Sequence, residues 1–174
     1  MLTLDSLNAD KFISVFLAIH FAEKALPIWE EEYPKNMRPR EAIEAAKKWL
    51  SNHGKETAAA AAAAAADAAA YADPVAHAAY ADAVAHAAYA AAYAAAYAAA
   101  YAAAYAVAWA AASAANALNV DKESLIHELI LENLDWILQY KIDNGQSFAQ
   151  PELIIDYLTE EQKQSFLFNL DAVA

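Results

Sequence analysis

The sequence predicts an all-α fold, and three observations predict it. Only 2 glycines and 5 prolines punctuate 174 residues, alanine dominates the middle of the chain, and no segment alternates with period two. A chain so poor in turn formers and so rich in the best helix former reads as helix almost throughout. The expected architecture is a compact helical bundle around a close-packed Ala/Tyr-rich central helical hairpin. The length suits one domain, 1–174, large enough to bury a core. Three stretches divide it: signature helices over 1–56, Ala/Tyr-rich core helices over 57–118, and acidic helices over 119–174.

The first helix is expected from about Asn8 to Tyr33. Phe12, Val15, Phe16, Ile19 and Leu26 recur at helical spacing, and Asn8 or Asp10 can cap it. Pro27 removes a backbone donor and clashes with the preceding turn, so it should kink the helix or restart it. Pro34 ends it. The stretch from Tyr33 to Arg40 reads as a loop, with Pro39 at the first position of the next helix. That helix, about 39–52, buries Ala42, Ile43, Ala46, Trp49 and Leu50 and stops at Gly54.

Residues 57–118 are two-thirds alanine, 41 of 62, and a single helix of that length would run roughly 90 Å at 1.5 Å per residue. Nothing else in the chain could cover it, so it must fold back. Asp73-Pro74 supplies a cap and an N1 proline for one break. A second is expected before 118, and Asp82 is the best candidate by analogy with Asp73. Tyrosine recurs every four residues at 89, 93, 97, 101 and 105, which on one helix would form a ridge drifting about 40° per step. Beyond the tract, Leu125, Ile126, Leu129, Ile130, Leu134, Ile137 and Leu138 mark one helical core face ending at Asn144-Gly145. Pro151 opens a short helix to Leu158. Thr159-Glu-Glu-Gln162 is a capping box for a last helix presenting Phe166, Leu167 and Leu170.

Zero cysteines exclude disulfides, thiolate catalysis and cysteine-based metal sites. No Gly-rich phosphate loop, His-Glu-x-x-His pattern or activated serine is present, so no catalytic residue is expected, nor any cofactor. His20 and Glu23 have a ligand-compatible i, i+3 spacing but no second such pair, so His20 reads as a half-buried histidine bonded to a carboxylate rather than a metal ligand. His77 and His86 would point oppositely on one helix and read as packing residues. The uncharged stretch 83–120 is long enough to span a bilayer, yet alanine contributes little to insertion and no positive residue flanks it. No membrane partner is expected. The N-terminus lacks a basic region and reads as no signal peptide, so a cytoplasmic location is expected.

The net charge is −12, and it is unevenly spread: −1 over 1–56, −3 over 57–118 and −8 over 119–174. Such a surface repels nucleic acid and anionic membranes and attracts a basic protein. Candidate partner-binding residues are Glu30, Glu31 and Glu32, beside Trp29 and Tyr33, and Asp135, Asp143 and Asp156 in the acidic third.

The stretch His20-Phe-Ala-Glu-Lys-Ala-Leu-Pro-Ile-Trp-Glu-Glu-Glu-Tyr33, followed by Arg38-Pro-Arg-Glu-Ala-Ile-Glu-Ala-Ala-Lys-Lys-Trp49, resembles the Imm5-like immunity proteins of bacterial polymorphic toxin systems. The likeness covers roughly residues 10–117, continuing into an alanine-rich tract that carries His77 and His86. Its signature residues are His20, Glu23, Arg38, Pro39, Arg40, Glu41, Trp49, His77 and His86, and a structural role is expected for them. Arg38 and Arg40 flank a rigid turn and could clamp Glu23 or Glu44. The resemblance implies a non-enzymatic antidote that binds and blocks a cognate toxin. The acidic excess adds a basic toxin or nuclease as the expected target. The alternatives are a phage or mobile-element inhibitor mimicking nucleic acid with its acidic surface, and a purely structural helical protein with an alanine expansion.

Overall fold

The computed structural model describes residues 1–72, 86, 89–91, 93, 100–164 and 166. Among them the ordered elements are helices and no strand occurs, as the composition predicts. The chain forms two compact units, a central one of Asp10–Leu125 and a terminal one of Met1–Ala9 with Ile126–Ala174.

The central unit is built on α2 (Lys11–Glu32), α3 (Arg38–Ser51), α4 (Lys55–Ala72) and α5 (Ala100–Leu118). Asp10 caps α2, its carboxylate accepting from the Ile13 amide at 2.9 Å. Asn8 instead ends the short α1 (Leu4–Leu7) of the terminal unit, in the left-handed region at φ 48°. Pro27 does not restart α2, which runs through it as one helix. Among the described helices α2 alone is long and apolar enough to cross a membrane, but its Ile13, Leu17, Phe21 and Trp29 are spent on the core. It packs on α5 and on α3, and α3 packs on α4. Ala110, Ala111, Ala114, Ala115 and Ala117 of α5 are buried, and side chains this small let helix axes approach closely.

The tyrosine repeat does not lie on one helix. Tyr89 meets Trp109 of α5 edge-on, with ring centroids 5.1 Å apart. Twenty residues of continuous helix would separate them by about 30 Å, so the chain reverses between Tyr89 and Trp109. The pair Tyr89 and Tyr93 does keep its i, i+4 neighbourhood, at 5.7 Å, and both rings are half-buried. Asp73-Pro74, His77, Asp82 and the side chains of Tyr97, Tyr101 and Tyr105 fall outside the described residues, as do Leu167 and Leu170.

In the terminal unit, the single helix expected over the Leu/Ile face is two: α6 (Lys122–Glu132), which begins at the edge of the central unit, and α7 (Leu134–Asp143). All seven apolar residues of that face are buried as expected. The break is at Asn133, whose side-chain amide donates to the Leu129 carbonyl at 2.9 Å while its backbone N–H turns to Ile130 at 3.2 Å. Such local side-chain bonding competes with the helix ladder. After α8 (Pro151–Ile155), Thr159 opens the last helical stretch. Its hydroxyl accepts from the Gln162 amide at 3.3 Å and the Gln162 side chain accepts from the Thr159 N–H at 2.7 Å, a capping box. Lys141 of α7 is buried. Its ammonium donates to the carbonyls of Asn8 and Ser147, each at 3.0 Å, and lies 5.0 Å from the Phe148 ring centroid.

Candidate functional site

Four of the signature residues, Arg38, Pro39, Arg40 and Glu41, lie at the elbow between α2 and α3. Trp29 is buried and donates from its indole N–H to the Asn36 carbonyl at 2.8 Å. Tyr33 packs on it at 4.8 Å. Together they fix the turn that carries Arg38, Pro39, Arg40 and Glu41 into α3. The expected clamp takes a different form. Arg40 pairs with Glu30, its Nε donating at 2.7 Å, whereas Glu23 and Glu44 are bridged by Lys47 at 2.7 and 3.0 Å. The reason is register. Arg40 enters at the start of α3, level with the last turn of α2, and Lys47 lies two turns further along, beside Glu23. The hydrogen bond that Lys47 donates to Glu23 is the largest influence raising the Lys47 pKa above its ordinary value.

Among the described residues His20 is not bonded to a carboxylate. Its Nδ1 lies 2.8 Å from the Phe16 carbonyl, and its ring packs on Phe16 at 4.2 Å. His86 packs beside Trp109, with ring centroids 5.7 Å apart. Trp49 is buried in the core, with Phe12 at 6.4 Å, the His53 ring stacked on it at 5.1 Å and the Lys11 ammonium 4.2 Å from its centroid. Burial there pushes the Lys11 pKa down. Lys11 and His53 escape a sequence reading because they reach Trp49 from two different helix ends.

The elbow also forms an open hollow of about 680 Å³ lined by Tyr33, Pro34, Lys35, Asn36, Met37, Arg38 and Glu41. Met37 is 45% exposed at its rim. Glu31 and Glu32 are exposed and Glu30 is half-buried beneath Arg40. These three acids end α2 with no basic residue in its last turn, at the negative pole of the helix dipole, where carboxylates are unfavourable. The hollow itself carries Lys35 and Arg38, so the elbow mixes both signs of charge.

In the terminal unit, Asp135, Asp143 and Asp156 are all exposed. Asp135 and Asp143 stand at the two ends of α7, eight residues apart, and Asp156 follows α8. Each carboxylate of the pair is held by an amide. The Gln162 side chain donates to Asp135, and Gln139 donates to Asp143 at 2.7 Å. Sequence reasoning missed Gln162 as a site residue because its capping role already accounted for it.

The sequence model of one protein family, described as Imm-5 like putative immunity protein, matches residues 8–130. The match contains the whole central unit and runs past the likeness read from the sequence, into α6. Comparison with curated proteins and with solved structures finds no match.

Proposed function

Because the chain belongs to the Imm-5 like family of immunity proteins, we propose that it is a cytoplasmic antidote that binds a basic toxin and blocks it by occlusion. The family suggests a non-enzymatic inhibitor with a toxin as its protein partner. One observation carries the finer reading, that the partner is basic: eight of the chain's twelve net negative charges fall on residues 119–174. The carboxylates of Asp135, Asp143 and Asp156 among them are solvent-exposed. An acidic face of this kind steers a basic protein into encounter and sets association rate more than residence time.

The test is co-expression with the product of the adjacent toxin gene. Rescue of growth and co-purification of a 1:1 or higher complex are expected, with neutralisation independent of any turnover by this chain. A neighbouring toxin that is acidic, or a chain that neutralises without binding, would overturn the reading.

A further inference from the structure

The outer side of α7 carries a small apolar groove, with Leu138, Ile142 and Phe166 as its floor and Asp135, Gln139 and Gln162 at its rim. Its volume is about 180 Å³, below the ~300–1,000 Å³ of small-molecule pockets and suited to one large side chain. The rim is ordered. Gln162 is fixed at both ends, its carbonyl accepting from the Thr159 N–H and its amide nitrogen donating to Asp135, so the capping box also stations a carboxylate over the groove. Gln139, also at the rim, donates to Asp143 one turn beyond the groove. The two carboxylates stand about 12 Å apart along the helix, eight residues at 1.5 Å each. On their other flank Trp136 and Tyr140 are stacked at 5.5 Å and 12° between ring planes, both half-buried. An aromatic platform beside a carboxylate suits a guanidinium, which stacks on the one and pairs with the other.

Charge selects the occupant. The lysines of residues 119–174 are engaged elsewhere: Lys141 is buried on two carbonyls, Lys122 pairs with Glu123 at 3.1 Å and Lys163 with Glu160 at 2.7 Å. An apolar floor with Asp135 at its rim and Asp143 one turn beyond it is complementary to an apolar side chain flanked by cations. We propose that this groove captures a basic amphipathic helix of the partner, one leucine-sized side chain seated on Leu138, Ile142 and Phe166 and arginines two turns apart on Asp135 and Asp143. The proposal rests on the partner being basic, and places its capture on the terminal unit rather than at the α2–α3 elbow, where Arg40 already covers Glu30.

The probe is a labelled 14-residue helical peptide with leucines on one face and arginines seven apart, titrated by fluorescence anisotropy against the full chain at 150 mM salt. Binding is expected, with at least tenfold loss for Asp135→Lys/Asp143→Lys and less than twofold for the charge-matched Glu152→Lys/Glu161→Lys. Ile142→Glu is the decisive variant, because it adds negative charge while spoiling the apolar floor. The groove requires weaker binding, and bare charge attraction requires tighter binding. Circular dichroism of each variant confirms that it is folded. No binding of the peptide, tighter binding by Ile142→Glu, or equal losses in the two lysine pairs overturns the groove. Neutralisation of the neighbouring toxin that survives Ile142→Glu also overturns it and leaves the immunity role intact. Peptide binding that follows the expected pattern in a chain that neutralises no neighbouring toxin keeps the groove and sinks the immunity role.

Discussion

Ser14 is wholly buried in α2 and its hydroxyl has no hydrogen-bond partner among the described residues. A buried polar group left unsatisfied costs about 1–3 kcal/mol, so Ser14→Ala should raise thermal stability, most visibly as a higher melting temperature. The opposite sign is expected at Trp49. Its removal would open a cavity beneath Phe12, His53 and the Lys11 stem, and Trp49→Ala should cost about 3–5 kcal/mol in chemical denaturation. Asp121 supplies a pH-dependent contribution. Its carboxylate accepts from the Ser124 amide at 2.8 Å, and that bond holds its pKa below the ordinary 3.8. A depressed carboxylate stabilises the fold above its unfolded value, and the contribution fades as pH falls through the folded one. Asp121→Asn keeps a capping acceptor without titrating, so the variant should lose less melting temperature than wild type between pH 7 and pH 3. The burial of Trp49 was legible because it shares a helical stripe with Ala42, Ile43 and Ala46. The partner of Arg40 was not, because several carboxylates lie within reach of so long a side chain and only the register of two helices chooses among them.

At the level of elements, what the sequence marks with a dedicated residue comes out as expected at the Asp10 cap and the Thr159–Gln162 box, whereas α3 ends at Ser51 before reaching Gly54, which instead precedes α4. What depends on competition between weak preferences does not come out as expected. Asn133 carries no strong stop signal, yet its side chain breaks the Leu/Ile face into α6 and α7. The four residues of α1 are too few for any periodicity and are held by a local Thr3–Ser6 box. The reversal between Tyr89 and Trp109 has neither glycine nor proline to announce it. Pro27 is the converse case, a strong breaker overruled by the burial of residues on both sides of it. Its ring is exposed, and it withholds the donor that would reach the Glu23 carbonyl. Pro27→Ala should therefore stabilise the protein, by up to about 3 kcal/mol; an unchanged denaturation midpoint would mean that the helix has already relaxed around the proline.

For the molecule as a whole, composition was enough to establish the helical class, and charge distribution was enough to nominate two acidic faces, but only packing distinguishes them. The elbow acids share their surroundings with Arg40, Lys35 and Arg38, whereas Asp135 borders an apolar floor and Asp143 follows it on the same helix. If the terminal unit makes the encounter, reversing Asp135, Asp143 and Asp156 together to lysine should slow association with the toxin far more than it hastens dissociation, and the wild-type rate should fall steeply with salt. Reversing Glu30, Glu31 and Glu32 should have the smaller effect in the same stopped-flow measurement. The terminal unit has another property, set by its discontinuity in the chain. The Leu2 amide donates to His127 across 125 positions and Lys141 reaches back 133 to Asn8. On the ribosome the first nine residues must therefore wait, unpaired, until the last third has emerged, while everything from Asp10 to Leu125 is already free to collapse. Nascent chains paused before residue 126 should acquire protease resistance in the central segment only, and the acidic face proposed to meet the toxin would be the last part of the chain to be finished.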